Sequence, residues 1–162
     1  MRLSFIAAFA ALALAGGAHA VSYQGGGYEV NGAWSRPVAA GTNGAGYMSI
    51  TNHAKTADVL KAVETPAAKK VEIHKTTMTN GIMSMKRQDA GLPIGPGETV
   101  VFGPGGNHLM LIGMTSATKA GDQIPLTLVF ASGTRLKLNF LVGNGPTSAA
   151  AAPMAGMEHM KH

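Results

Sequence analysis

The chain has 162 residues, a net charge of +5 and no cysteine, so thiolate is excluded as a metal ligand, nucleophile or redox couple, and with it the Cys-liganded blue copper carriers. Its 13 Lys and Arg are scattered and aromatics make up only 6%, so neither a basic stripe nor a stacking platform for nucleic acid is present. The basic balance reads as solubility, with long-range steering toward an acidic partner.

Residues 1–20 read as a secretory signal peptide. Arg2 is a short positive start, Leu3 to Ala15 is apolar, and Ala18-His19-Ala20 is a small-x-small cleavage site. An N-terminal anchor is the alternative, but the apolar run is short for a span, and no later run approaches the ~20 residues a spanning helix needs. The mature chain is expected to be exported to the periplasm, with no membrane span after cleavage. Its length suits one domain, residues 21–143, able to bury roughly two-thirds of its extended-chain surface without a staple.

Ser22 to Gly27 is Gly-rich and reads as a loose start. Short extended segments then follow at even spacing: 28–34, 46–51, 59–64, 70–77, 82–88, 98–102, 108–113, 125–131 and 134–141. No stretch keeps a 3.6-residue apolar period over three turns. Strands separated by Gly, Pro and Asn turns predict an all-β sandwich or barrel. The clearest hairpin has Ile124, Leu126, Leu128 and Phe130 alternating before Ser132-Gly133, then Leu136, Leu138 and Phe140 alternating with Arg135, Lys137 and Asn139. A second has Asn80-Gly81 at its tip. From about residue 144 the pattern stops. Residues 144–162 read as a flexible tail ending in Met154, Met157, His159, Met160 and His162.

Strand parity then sorts the chemistry. Val71 and Ile73 share one face, leaving Glu72 and His74 on the other. Leu109 and Leu111 share one face, leaving His108 and Met110 side by side on the other. Met83 and Met85 are also two apart. A lone strand methionine is usually core, and a lone histidine usually surface. Several together suggest a soft, neutral donor set, for which Cu(I) is the best match in an exported protein. Zinc favours thiolate, carboxylate or several imidazoles, and calcium favours oxygen. Met78 and Met114 read as packing or supporting residues, Met48 as core, His53 as a loop histidine, Trp34 as a core or rim aromatic, and Lys69-Lys70 as a solvated pair.

Five stretches, AWSRP (33–37), VEIHKTTM (71–78), GIMSMK (81–86), LPIGPGETV (92–100) and GGNHLMLIG (105–113), resemble the PCuAC family of periplasmic copper chaperones, from about Tyr28 to Val142. The family pattern is His, ten residues, Met, about twenty-one residues, then His-x-Met. Here ten residues separate His74 from Met85 and twenty-two separate Met85 from His108. The added residue is expected in the Gln88–Gly91 loop, and Met83 is the substitute if Met85 is displaced. The resemblance implies a cupredoxin-like Greek-key β-barrel or sandwich holding Cu(I) through His74, Met85, His108 and Met110. It implies a carrier, not an enzyme, that delivers copper toward the dinuclear copper centre of cytochrome c oxidase. The implied acceptor is the oxidase's copper-bearing subunit or a thioredoxin-like copper assembly protein. A monomer is expected, and no nucleic-acid partner. The tail residues Met154, Met157, His159, Met160 and His162 suit additional copper, with His159 and His162 suiting Cu(II). A copper scavenging, storage or resistance protein without a dedicated acceptor is the alternative, and a plain β interaction module is a third reading.

Overall fold

A computed structural model describes residues 21–145. Eleven strands account for its regular structure: β1 (Ser22–Gly25), β2 (Tyr28–Ser35), β3 (Gly44–Asn52), β4 (Asp58–Glu64), β5 (Ala68–Thr79), β6 (Ile82–Arg87), β7 (Leu92–Ile94), β8 (Thr99–Phe102), β9 (His108–Met114), β10 (Gln123–Phe130) and β11 (Arg135–Val142). Among the described residues no helix is long and apolar enough to cross a membrane. The predicted signal and most of the tail, including Met154, Met157, His159, Met160 and His162, lie outside the described residues.

One hydrogen-bonded path runs β6-β5-β9-β3-β2-β11-β10-β4-β7, with β1 added to β2 and β8 added to β3. Every pairing is antiparallel except β11 with β2, where Leu141 pairs with Trp34 and Val142 with Ser35. That parallel join brings the last strand beside one of the first and makes the all-β fold cupredoxin-like rather than a simple meander. The sheet curls around an apolar interior to which Val30, Ile50, Ile73, Leu109, Leu111, Leu128, Phe130 and Phe140 all contribute.

The alternation seen in the sequence is the alternation of burial. Along β10, Ile124, Leu126, Leu128 and Phe130 are buried while their neighbours are not; along β11, Leu136, Leu138, Phe140 and Val142 behave the same way. Two differences from the sequence reading have physical causes. The Gly-rich start forms β1, antiparallel to β2, because Tyr23 packs on the core and its hydroxyl donates to the Asn139 carbonyl at 3.2 Å. The three-residue β7 pairs with β4, with Pro93 exposed between buried Leu92 and Ile94; edge position is what lets a strand tolerate a residue with no N–H.

Two local features place the outer face. In β2 the register to β3 shifts by one residue between Asn31 and Trp34, around Gly32 at φ 61°. Such a bulge reverses the inward-outward parity of the residues beyond it. Tyr28 and Val30 point inward before it, and Ala33 and Ser35 after it, so Trp34 points outward against Tyr47, ring centroids 4.8 Å apart. In β3, a Cβ on Gly46 would stand 2.0 Å from a Phe140 ring carbon. Only glycine allows β3 to pass over that buried ring while pairing with Leu109 of β9.

Tyr28 is stacked on Phe130 at 3.8 Å and donates its hydroxyl to Asp58. Burial, and then the bond to Asp58, push its pKa from 10.0 up to about 12. The fold therefore favours the neutral phenol. This contribution is complete below pH 10 and is lost as pH rises through about 12. Denaturation midpoints measured at rising pH are expected to fall more steeply for the wild type than for Tyr28→Phe within this interval.

Candidate metal centre

β5 and β9 pair antiparallel, with Ile73 opposite Leu109 and Val71 opposite Leu111. These residues face the core, so the intervening ones face out. His74 stands directly opposite His108, and Glu72 opposite Met110. The two imidazole rings meet edge to face, centroids 5.4 Å apart at 65°.

β6 completes the face. The turn residues Asn80 and Gly81 have φ of 52° and 75°, the left-handed pair that a two-residue hairpin requires. The turn sets an unbroken register: Met78 opposite Met83, Thr76 opposite Met85, His74 opposite Arg87. Residues two apart share a face, so Met83, Met85 and Arg87 lie on the side of His74. Met85 Sδ reaches to 3.2 Å from His74 Nδ1. Met110 lies on the same outer face, two residues beyond His108 and paired on its other side with Ala45 of β3.

Glu72 governs the orientation of His74 and was not picked out by sequence reasoning. Its carboxylate accepts from Lys70 Nζ at 2.5 Å, from His74 Nε2 at 2.9 Å and from Arg87 Nη1 at 2.9 Å. Those bonds, from Lys70 first and then His74 and Arg87, lower its pKa from 4.5 to about 2. An ionised carboxylate only accepts, so His74 Nε2 carries the proton. In the neutral ring Nδ1 then presents its lone pair to the Met85 sulfur. Two donors face each other across 3.2 Å with no proton between them, an arrangement that a bridging cation satisfies. His108 is oriented by a different partner: its Nδ1 lies 3.2 Å from the Gly106 carbonyl. A carbonyl also only accepts, so Nδ1 donates and Nε2 is left bare. His108 is 8% exposed and Met85 53%, so the face grades from sheltered imidazole to open thioether.

Thus His74, Met85, His108 and Met110, the four residues singled out from the sequence, share one face of three adjacent strands. Met83 is two residues farther toward the hairpin tip. Among the described residues no group of three or more His, Cys, Asp or Glu is arranged to hold a metal. Met114 and Met48 are core, each 2% exposed. Met78 departs from the packing role expected of it: it is 67% exposed, because the end of the hairpin extends past β9. His53 is a loop residue bonded to Glu29 at 2.8 Å. Lys70, read as one of a solvated pair, is bound to Glu72. The one cue for Glu72 in the sequence is its position two residues before His74.

An all-β sheet that curls on itself in this way is the architecture of PCuAC domains. The copper-bound PCuAC domain of PmoF2 superposes with a TM-score of 0.64 at 24% identity, covering 75% of this chain and 97% of that one. The Cu(I)-bound DR1885 of Deinococcus radiodurans superposes with a TM-score of 0.57 at 27% identity, covering 78% and 82%. The family described as "Putative lipoprotein LpqE-like" matches residues 28–142, and the chain belongs to it. A protein of Leifsonia xyli named as a lipoprotein is 30% identical over 111 residues, and one of Rickettsia prowazekii is 28% identical over 115. The matched stretch spans 66% and 64% of the length of these two relatives.

The Glu72 clamp has a direct readout. Glu72→Ala is expected to shift His74 toward the Nδ1–H tautomer, seen in imidazole nitrogen chemical shifts, while His108 keeps its own. Loss of such an outer partner should weaken cation binding about 10- to 100-fold. Glu72→Gln, which keeps an acceptor oxygen, is expected to retain most of the wild-type tautomer.

Proposed function

We propose that this chain is an exported, periplasmic copper chaperone that carries Cu(I) on His74, Met85, His108 and Met110. The observation that carries the reading is the cross-strand pair His74–His108 with Met85 Sδ 3.2 Å from His74 Nδ1. Imidazole and thioether are neutral, and together they suit a soft, singly charged ion better than a hard divalent one. Such a ligand set leaves the ion its +1 charge. An incoming thiolate or thioether can then displace the ligands one at a time. The copper-bound state of two similar domains supports the choice of metal. The acceptor we favour is the dinuclear copper centre of cytochrome c oxidase, reached directly or through a thioredoxin-like assembly protein. The role is binding and transfer, not catalysis.

The tail has a place in this reading. Gly145 lies against the Trp34 ring, where an added Cβ would be 3.5 Å from the indole. Trp34 and Tyr47 lie on the outer face that also carries Met110. Two strand spacings, about 10 Å, separate Trp34 from the His108 strand. The eight residues from 146 to 153 can span up to roughly 26 Å. Met154, Met157, His159, Met160 and His162 are therefore within reach of the centre, and we assign them additional copper, including Cu(II) at His159 and His162.

Titration of the mature protein with Cu(I) against a competing chelator tests the centre. One tightly held ion is expected in the wild type and none at that affinity in His108→Ala/Met110→Ala; equal binding by the two proteins would overturn the assignment. Deleting residues 147–162 is expected to remove Cu(II) binding and to spare the tight Cu(I). Unchanged Cu(II) stoichiometry would refute the role given to the tail.

A further inference from the structure

Beyond the four-ligand centre, the β5–β6 hairpin carries sulfur that the centre does not use. Met78 and Met83 are directly opposed in the register, next to the Asn80-Gly81 turn. They are 67% and 60% exposed. Facing cross-strand residues have Cβ atoms about 4.5–5.5 Å apart, and methionine has three rotatable bonds, so both sulfurs can converge on one ion. Met85 follows Met83 two residues along the same face, at 53% exposure, and Met85 already touches His74. A line of thioethers thus runs about 13 Å from the hairpin tip to the imidazole pair, four residues along one strand.

The two faces of the hairpin differ in kind. The far face has Lys75, Thr77, Thr79, Ser84 and Lys86 with Ile82, an ordinary solvated surface. The near face has Met78, Met83, Met85, Thr76 and His74. A surface selected for apolar docking alone would be expected to carry Leu, Ile or Phe on this face. Here its large apolar residues are all thioethers, while the lone branched aliphatic, Ile82, lies on the other side.

We propose that Met78 and Met83 form a second, outer site for a soft monovalent cation, and that with Met85 they make the route by which the ion enters and leaves the imidazole centre. This rests on the chaperone reading given above. The step is ligand exchange: each sulfur binds as the one behind it lets go, the ion keeps its +1 charge, and no proton or electron moves. The outer site is weaker than the inner, having thioethers alone and full access to water. Residues at the tip are also the first that an approaching acceptor meets.

Silver(I) is the probe, since it is soft, monovalent and stable to oxidation. The protein lacking residues 147–162 removes the competing tail donors and retains every strand. It is expected to bind one silver ion tightly and a second more weakly. The second equivalent should shift the methyl signals of Met78 and Met83. Met78→Leu/Met83→Leu keeps the apolar bulk and removes the sulfur. It is expected to keep the tight ion within about twofold and to lose the weak one. It should also release the tight ion to a chelator several-fold more slowly. Two ions in this variant, or unchanged release, would overturn the outer site and leave the inner centre standing. No tight ion in the parent protein would overturn both. Loss of the tight ion in His108→Ala/Met110→Ala with the weak one retained would separate the two sites.

Discussion

The pairing of β5 with β9 is the constraint on which the centre rests. It places His74 opposite His108, and among the described residues no other pair of strands offers two imidazoles. The core, not the histidines, holds that register. Ile73 faces Leu109 and Val71 faces Leu111 on the inner side, and a slip of one residue would turn those side chains to water and the histidines inward. β9 is held on its other flank by β3, where Gly46 lets the backbone lie over Phe140. The geometry of the candidate centre is thus a by-product of how the apolar side chains interlock beneath it.

Much of this was legible in the primary structure, because a half-buried strand writes its own face into its sequence. The parity of Val71 and Ile73 against Glu72 and His74, and of Leu109 and Leu111 against His108 and Met110, put three of the four ligand candidates on outer faces. The Asn-Gly turn set the β5–β6 register and with it the side on which Met85 lies. What escaped was non-local. β1 exists because Tyr23 finds the core and a carbonyl 116 positions away, and nothing in a Gly-rich run announces that. The Trp34 side chain is turned outward by a bulge, and the partner that shows the bulge is β3. The part played by Glu72 depends on Arg87, brought across from the hairpin partner strand, and on Lys70. The exposure of Met78 depends on the hairpin extending past its neighbour.

Charge around the centre is arranged in two tiers. The proposed donors are imidazole and thioether, while the charged side chains beside His74 pair with one another: Glu72 with Lys70 and Arg87, and Arg87 again with Asp89. The carboxylate fixes which ring nitrogen is free without itself facing the sulfur. Ring orientation is therefore set in advance, and Nδ1 carries no proton that an incoming cation would have to displace. His108 reaches the same end with a backbone carbonyl, which no substitution of a side chain removes.

The uneven shelter of the methionines has a consequence for how the molecule ages. Met48 and Met114 lie inside, each 2% exposed, while Met78, Met83 and Met85 are more than half exposed. Peroxide turns a thioether into a sulfoxide, whose oxygen is a hard donor with little attraction for a soft ion. Damage would fall first on the hairpin and last on the interior. With copper held as proposed, an oxidised molecule would keep its core yet lose its hold on the ion, and enzymatic reduction of those same accessible sulfoxides would restore it without any need to refold.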